Sequence, residues 1–218
     1  LGAITRYGDV SYAYDEGGRR TVRVDRSNPA APRETIYRYS AMGHIVQVRL
    51  PSGDIVDYTL TGLGQRATKS VNGKLTKAWA YGLNSNDVVA EYDVATKAWT
   101  TFVRDEAGAL AYMERGGKRY RILTDLRGSV RAVVDEAGNT VETMQFDAYG
   151  TRVSHDTATG FAGTPFGFAG GLFDQDTGLT HFAARDYDSE SGTFNRIDPI
   201  GVDGGTNVYG YAAGDPVN

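Results

Sequence analysis

Hydrophobic and polar positions alternate with a period of two along most of the chain. Val46, Val48 and Leu50 share one face of a predicted strand, and Tyr37 and Tyr39 share a face in the same way. This alternation is typical of half-buried β-strands. No segment shows a sustained period of 3.6 residues, so the pattern predicts an all-β protein with very little helix.

Short polar turns separate the predicted strands at regular intervals. The sequence Asp-Glu-Ala-Gly at 105–108 recurs at 135–138, and a related tetrapeptide occupies 15–18. Glycines that mark turns recur every 20–25 residues apart from one gap of 44, which we assign to two units with a turn at Asn84-Ser85-Asn86. A period of this length indicates one repeated β-hairpin. The expected turns are at Gly18, Gly43, Asn72-Gly73, Gly108, Gly138 and Gly178.

Aromatic, Gly and Asp residues are densest at 165–201, around which the rest of the chain is organised. Turn signals at 176–178 and 189–192 are each followed by a short strand-like run, which predicts a compact β-meander. We expect the aromatic side chains of this stretch to be mostly buried against the last repeat. They are Phe166, Phe168, Phe182, Tyr187 and Phe194.

Composition narrows the classes of function. The chain has 218 residues, of which 40% are hydrophobic and 23% charged, so it can form a globular core. The net charge is −4 and Lys and Arg form no stripe, so neither nucleic acid nor membrane insertion is expected. Cysteine is absent and the three histidines lie far apart, so we expect no metal site and no cofactor. The chain begins at Leu1 with no visible signal peptide, which suggests a fragment or a processed product.

Several motifs in fixed order resemble the Rhs (YD-repeat) family and its Rhs-associated core. The hairpin units are variants of Tyr-x-Tyr-Asp-x-x-Gly-Arg, most clearly at 12–19, and only 76–99 departs from the pattern. The core motifs are Phe166-Gly-Phe168-Ala-Gly170, Asp176-Thr-Gly178-Leu179, Ala184-Arg185-Asp186-Tyr187-Asp188, Gly192-Thr-Phe194, Asp198-Pro-Ile-Gly201, Asn207-Val-Tyr209-Gly-Tyr211 and Pro216-Val-Asn218.

This resemblance implies YD repeats at 1–153 that form a curved or spiralling, shell-like sheet. It also implies a plug-like core at 154–218. In the family, such a shell is bacterial, is secreted or displayed at the cell surface, and encloses a C-terminal polypeptide that is often a toxin. The expected partner is therefore the protein's own C-terminal cargo or the remaining shell sequence, and the chain is not expected to be an enzyme. The oligomeric state stays open.

The resemblance also suggests a role in self-cleavage for one carboxylate, that of Asp198. The family's core ends in an Asp-Pro-x-Gly motif linked to aspartyl-protease-like self-cleavage, with a second such motif downstream. Asp198 matches the first motif, whereas Asp215-Pro216 lacks the glycine of the second. Two carboxylates that share a proton can act as acid and base on one peptide bond, so this chain holds at most half of the site. Capping of a turn is an equally good interpretation of Asp198.

A rival hypothesis is that exposed Tyr and Trp side chains bind carbohydrate at a wall or cell surface. Tyr pairs at i and i+2 are more often the core face of a sheet, which favours the shell. The positions of Trp79 and Trp99 separate the two hypotheses, because inward packing favours the shell and solvent exposure favours sugar binding.

Overall fold

The predicted all-β fold is confirmed. A computed structural model describes residues 2–83 and 85–212. Fifteen antiparallel strands are hydrogen-bonded in chain order in one sheet, and four further strands form a second sheet, also in chain order. Apart from strands, the described residues hold two short 3₁₀ turns, Phe168–Gly170 and Gly201–Gly204.

The chain divides into two compact units, which are described separately. One unit combines Leu1–Leu75 with Gln175–Asn218, and the other is Thr76–Asp174. This division follows packing, whereas the sequence division at residue 153 follows motifs and stays a prediction.

The first unit contains the N-terminal hairpins and the C-terminal part of the meander. Within it, strands β17 to β19 pair antiparallel with one another. Its strands are β1 (Arg6–Tyr7), β2 (Val10–Tyr14), β3 (Arg20–Asp25), β4 (Arg33–Tyr39), β5 (Ile45–Arg49), β6 (Ile55–Leu60), β7 (Arg66–Val71), β17 (Leu179–Phe182), β18 (Arg185–Asp188) and β19 (Thr193–Phe194).

The second unit contains the remaining hairpins. Strands β8 and β9 pair antiparallel, but Asn84, which the sequence analysis placed in the turn between them, lies outside the described residues. The strands are β8 (Lys74–Tyr81, which begins at the end of the first unit), β9 (Val88–Asp93), β10 (Ala98–Arg104), β11 (Leu110–Arg115), β12 (Lys118–Thr124), β13 (Val130–Val134), β14 (Thr140–Phe146), β15 (Arg152–Thr157) and β16 (Leu172–Asp174).

The Asp-x-x-Gly turns share one hydrogen-bond pattern. In the turn at 105–109, Asp105 Oδ1 accepts the backbone N–H of Ala107 at 3.0 Å and that of Ala109 at 2.9 Å, and Gly108 has φ of 82°. The register shifts beside this turn, as expected for a three-residue hairpin loop whose glycine forms a bulge. The turns predicted at a glycine are present, since each of those six glycines has positive φ.

Each unit has its own apolar core on one face of its hairpins. The core of the first unit is built from Tyr37, Ile45, Val48, Val56, Tyr58 and Leu179. The core of the second unit is built from Val88, Phe102, Leu110, Met113, Ile122, Val130, Val133, Met144, Phe166 and Leu172. Several tyrosines of the repeats are thus core residues, as the sequence analysis favoured.

The aromatic residues of the meander divide between the two units. Phe168 packs on Phe146 of the last repeat, with ring centroids 6.0 Å apart, so the expectation holds there. Phe166 is buried in the core of the same unit, together with Met144. Phe182 is only half-buried. The expected burial is also confirmed for Tyr187 and Phe194, but these two rings, like Phe182, belong to the first unit and not to the unit of the last repeat. The physical reason is that strand β18 is acidic and pairs with arginines of the N-terminal hairpins.

Tyr187→Ala should lower the unfolding free energy by about 3–5 kcal/mol, because it removes a fully buried ring. The ring centroid lies 5.4 Å from that of Phe194 and 5.1 Å from that of Tyr211, so a cavity would open inside an aromatic cluster. Denaturant unfolding measures the loss. Phe182→Ala is the matched control and should show a smaller loss, and unchanged curves for both variants would make the meander a surface appendage.

In the part of the chain that the structure describes, no helix is both long enough and apolar enough to cross a bilayer.

Candidate functional site

Asp198 is the first residue of a turn that follows strand β19 and ends at Gly201. Its Oδ1 accepts the backbone N–H of Ile200 at 3.1 Å, and its carbonyl oxygen accepts that of Gly201 at 2.9 Å. Its own N–H donates to the carbonyl of Val208 at 2.8 Å. The capping interpretation therefore accounts for one carboxylate oxygen and leaves the other oxygen for a second partner.

That second partner is Arg185. Its Nη2 lies 2.6 Å from Asp198 Oδ2, and its guanidinium carbon lies 3.7 Å from the ring centroid of Phe194. Burial lowers the pKa of Arg185, and the charge of Asp198 opposes that shift. The other terminal nitrogen of Arg185, Nη1, is buried and has no hydrogen-bond partner among the described residues. The guanidinium thus fixes one carboxylate and retains donor capacity for another acceptor.

Arg185 belongs to the recognised motif at 184–188, but no role was predicted for it from the sequence. The nearest basic residue before the aspartate is Arg196, which donates to the carbonyl oxygen of Met42 at 2.8 Å. Asp215 and Pro216, which do not complete a second Asp-Pro-x-Gly motif, lie outside the described residues.

Strand β18 is held by an arginine from strand β3. Arg20 is completely buried, and its Nη1 lies 2.7 Å from Asp188 Oδ2. Its Nη2 donates to the hydroxyls of Ser191 and Thr193 at 3.1 and 3.0 Å. Burial lowers the pKa of Arg20, but the charge of Asp188 together with Tyr14 and Tyr37 more than offsets this, so the pKa lies above its usual range. This charge-assisted network ties residues that are 168 positions apart.

A second arginine, from strand β7, makes the equivalent contact two residues earlier on β18. Arg66 Nη2 lies 2.9 Å from Asp186 Oδ1, which also lies 2.9 Å from Nδ1 of His181. Burial would raise the pKa of Asp186, but the Arg66 charge and His181 hold it well below its usual range. Asp186 is therefore an anion in a site that is almost fully enclosed by protein.

These two ion pairs were not predicted. Asp186 was recognised only as a member of the motif at 184–188, and its partner was not identified. The available signal was positional, because Arg20 and Arg66 both stand two residues after a turn glycine, Gly18 and Gly64. Both also stack on a tyrosine of the preceding strand.

His44→Gln should weaken the pH dependence of stability. Burial, reinforced by Arg196, lowers the pKa of His44, and only Asp186 among the contributing charges opposes this. Since an unfolded histidine has a pKa of about 6.5, the unfolded chain takes up this proton first as the pH falls. The unfolding free energy should therefore decrease between about pH 7.5 and 5.5, and less so in the variant. Thermal unfolding across that range measures it.

The control for this prediction is His155→Gln, because His155 lies in the other unit and contacts Glu142. The part of the pH dependence of stability that comes from His44 should persist in this control. An identical pH profile for the wild type and His44→Gln would contradict the prediction.

Across the described ranges, no group of three or more His, Asp or Glu side chains is arranged to hold a metal ion.

The two tryptophans differ in burial, so they favour different hypotheses about function. Trp79 packs against the core of the second unit, and its Nε1 donates to Glu91 at 2.9 Å. Trp99 is 53% exposed and lies against Tyr92, with ring centroids 5.1 Å apart. Trp79 thus meets the criterion for a shell, and Trp99 meets the criterion for a surface site.

Hairpins paired in chain order, with an Asp-Pro-x-Gly meander docked on the first of them, define a YD-repeat shell protein. The Teneurin YD-shell family profile matches residues 1–217, and the chain belongs to this family.

Relatives occur in both bacteria and animals. The tRNA nuclease WapA of Bacillus subtilis strain 168 is 28% identical over all of this chain, which covers 9% of WapA. Teneurin-3 of Danio rerio is 30% identical over 99% of this chain, which covers 8% of that protein. The chain thus spans about a tenth of the length of the curated relatives it matches.

Solved structures share the fold. A structure of TcdB2-TccC3 superimposes on 95% of this chain with a TM-score of 0.67 and 17% identity, over 13% of its own length. A second structure, of TcdB2-TccC3 without a hypervariable C-terminal region, gives the same TM-score. At this identity the match shows the fold alone.

Proposed function

We propose that this chain is part of an Rhs-type shell that encloses a polypeptide cargo continuous with its own C-terminus. The observation that carries the proposal is the docking of the C-terminal meander onto the first hairpins through Arg20–Asp188 and Arg66–Asp186. Anchored in this way, the segment that follows the meander starts from a fixed point on the shell. The matched structures of TcdB2-TccC3 without a hypervariable C-terminal region and of a Tc holotoxin pore support this interpretation.

The chain's role in this proposal is structural, and the only reaction proposed is cleavage of the protein's own backbone. Asp198, held by Arg185, is one carboxylate of a self-cleavage site that a second Asp-Pro-x-Gly motif would complete. The WapA relatives are named as tRNA nucleases, but they share only a tenth of their length with this chain, so no nuclease role is transferred. Secretion or display at the cell surface follows from the same proposal.

Encapsulation is tested in a polypeptide that continues beyond Asn218 and carries a C-terminal epitope. The epitope-bearing segment should resist protease under native conditions and become sensitive only at denaturant concentrations that unfold the sheet. The same epitope on a flexible linker at the N-terminus is the control for accessibility. Cleavage of the C-terminal segment at the rate of an unfolded peptide under native conditions would contradict encapsulation.

A further inference from the structure

The two-residue turn between strands β7 and β8 contains the only Asn-Gly sequence of the chain, Asn72-Gly73. Asn72 has φ of 52° and Gly73 has φ of 76°, as the type I′ turn of a two-residue hairpin requires. Both residues are exposed, and a Cβ added at Gly73 would meet no atom within 4 Å. Water therefore has free access to the peptide bond that joins them.

This pair of residues can react without any other group of the protein. The backbone nitrogen of Gly73 attacks Cγ of Asn72, the side-chain amide leaves as ammonia, and a succinimide ring forms. The proton that the backbone nitrogen loses is balanced by the proton that ammonia gains. Water then opens the ring and leaves aspartate or isoaspartate, so one water is consumed for each ammonia released. Glycine permits the attack because it has no side chain and its backbone rotates freely.

The folded chain holds the side chain of Asn72 at both of its polar atoms. Oδ1 accepts the backbone N–H of Ile55 at 2.9 Å, and Nδ2 donates to Asp54 Oδ1 at 2.7 Å. The hydroxyl of Ser52 donates to the other carboxylate oxygen of Asp54 at 2.6 Å. Asn72 can bring Cγ to the nitrogen of Gly73 only if it breaks both bonds and the turn changes conformation. Pairing of the hairpins therefore slows the reaction.

We propose that Asn72 is a deamidation site that stays intact while the β7–β8 turn is closed and reacts when the turn opens. The reaction makes the opening permanent, because the product carboxylate replaces an amide that donated to Asp54. Hydrogen bonds from Ser52 and Asn72 lower the pKa of Asp54, so Asp54 is a carboxylate at neutral pH. Two negative charges would then face each other and repel. Isoaspartate also adds one atom to the backbone of a turn whose geometry matches the paired strands.

The test incubates the 218-residue chain at mildly alkaline pH, either folded or unfolded in urea, and follows each asparagine by peptide mass spectrometry. Asn72 should deamidate about tenfold or more faster in urea, since a paired hairpin is open for only a small fraction of the time. Asn139 is the matched control, because it is exposed and donates to Asp135 Oδ2 at 3.0 Å. It precedes Thr140, whose branched side chain obstructs the attack, so it should stay intact in both conditions.

Two variants of Asp54 test the hold on the side chain. Asp54→Ala removes the acceptor of Asn72 Nδ2 and should raise the rate in the folded chain severalfold, whereas Asp54→Asn keeps an acceptor oxygen and should react as slowly as the wild type. Asn72→Asp, which reproduces one product, should make the turn more sensitive to protease, and the added substitution Asp54→Asn should restore resistance.

Four results would overturn the proposal. The first two are equal rates at Asn72 in the folded and the unfolded chain, and a rate at Asn139 that equals the rate at Asn72. The other two are an unchanged folded rate in Asp54→Ala, and a turn in Asn72→Asp that resists protease as the wild type does.

Discussion

Arg20→Met should lower the unfolding free energy by about 3–5 kcal/mol, because removing one partner of a buried ion pair leaves the other charge uncompensated. The uncompensated group is Asp188, which would keep neutral hydrogen-bond donors such as the Ser191 hydroxyl and the Glu190 backbone N–H. The loss should appear as an earlier midpoint in urea with little change in slope. It should also make the C-terminal segment cleavable by protease at lower denaturant concentrations.

Two further variants separate the ion pair from simple loss of packing. The double variant with Arg20→Met and Asp188→Leu should recover much of the stability, since replacing both charges by apolar groups is often nearly neutral. Arg119→Met removes an exposed ion pair and should cost no more than about 1 kcal/mol. Equal losses of unfolding free energy in all three variants would show that the Arg20–Asp188 ion pair stabilises the fold no more than an exposed ion pair does.

Asp198→Asn should abolish self-cleavage in any longer polypeptide that continues through a second Asp-Pro-x-Gly motif. The amide keeps an oxygen for the Ile200 N–H, so the turn persists, but it cannot exchange the proton that catalysis requires. The readout is intact mass after expression, with two fragments for the parent and one uncut chain for the variant. The 218-residue chain itself should remain intact, because it holds at most one of the two carboxylates.

Asp203→Asn is the control for this cleavage prediction. Asp203 is an exposed carboxylate of the neighbouring 3₁₀ turn, and its substitution should leave cutting unchanged. Persistent cutting in Asp198→Asn would leave Asp198 with a structural role only, as a cap and as the partner of Arg185.

Local features of this fold could be predicted from the sequence. A turn such as Asp105 to Gly108 is specified within five residues, because the aspartate oxygen binds the backbone of its own turn and the glycine takes positive φ. The hairpins follow from such turns and from the alternation between them. Their pairing in chain order is the simplest arrangement of adjacent hairpins.

The charged part of the candidate site could not be predicted in the same way. Arg20 and Arg66 look like ordinary surface residues of polar turns, and only their partners at 186 and 188 make burial possible. No local rule connects positions more than a hundred residues apart. Arg185 illustrates the same limit, because its motif was recognised while its contact with Asp198 depends on how the meander folds.

The long separation within these ion pairs has a consequence for the order of events during synthesis. Arg20 leaves the ribosome 168 residues before Asp188, a delay of about 10–30 s at typical translation rates. Throughout that interval the first hairpins expose cationic positions that are buried in the finished protein. Until the strand that carries Asp188 has been synthesised, other acidic segments can therefore bind to the arginines of the nascent N-terminal sheet.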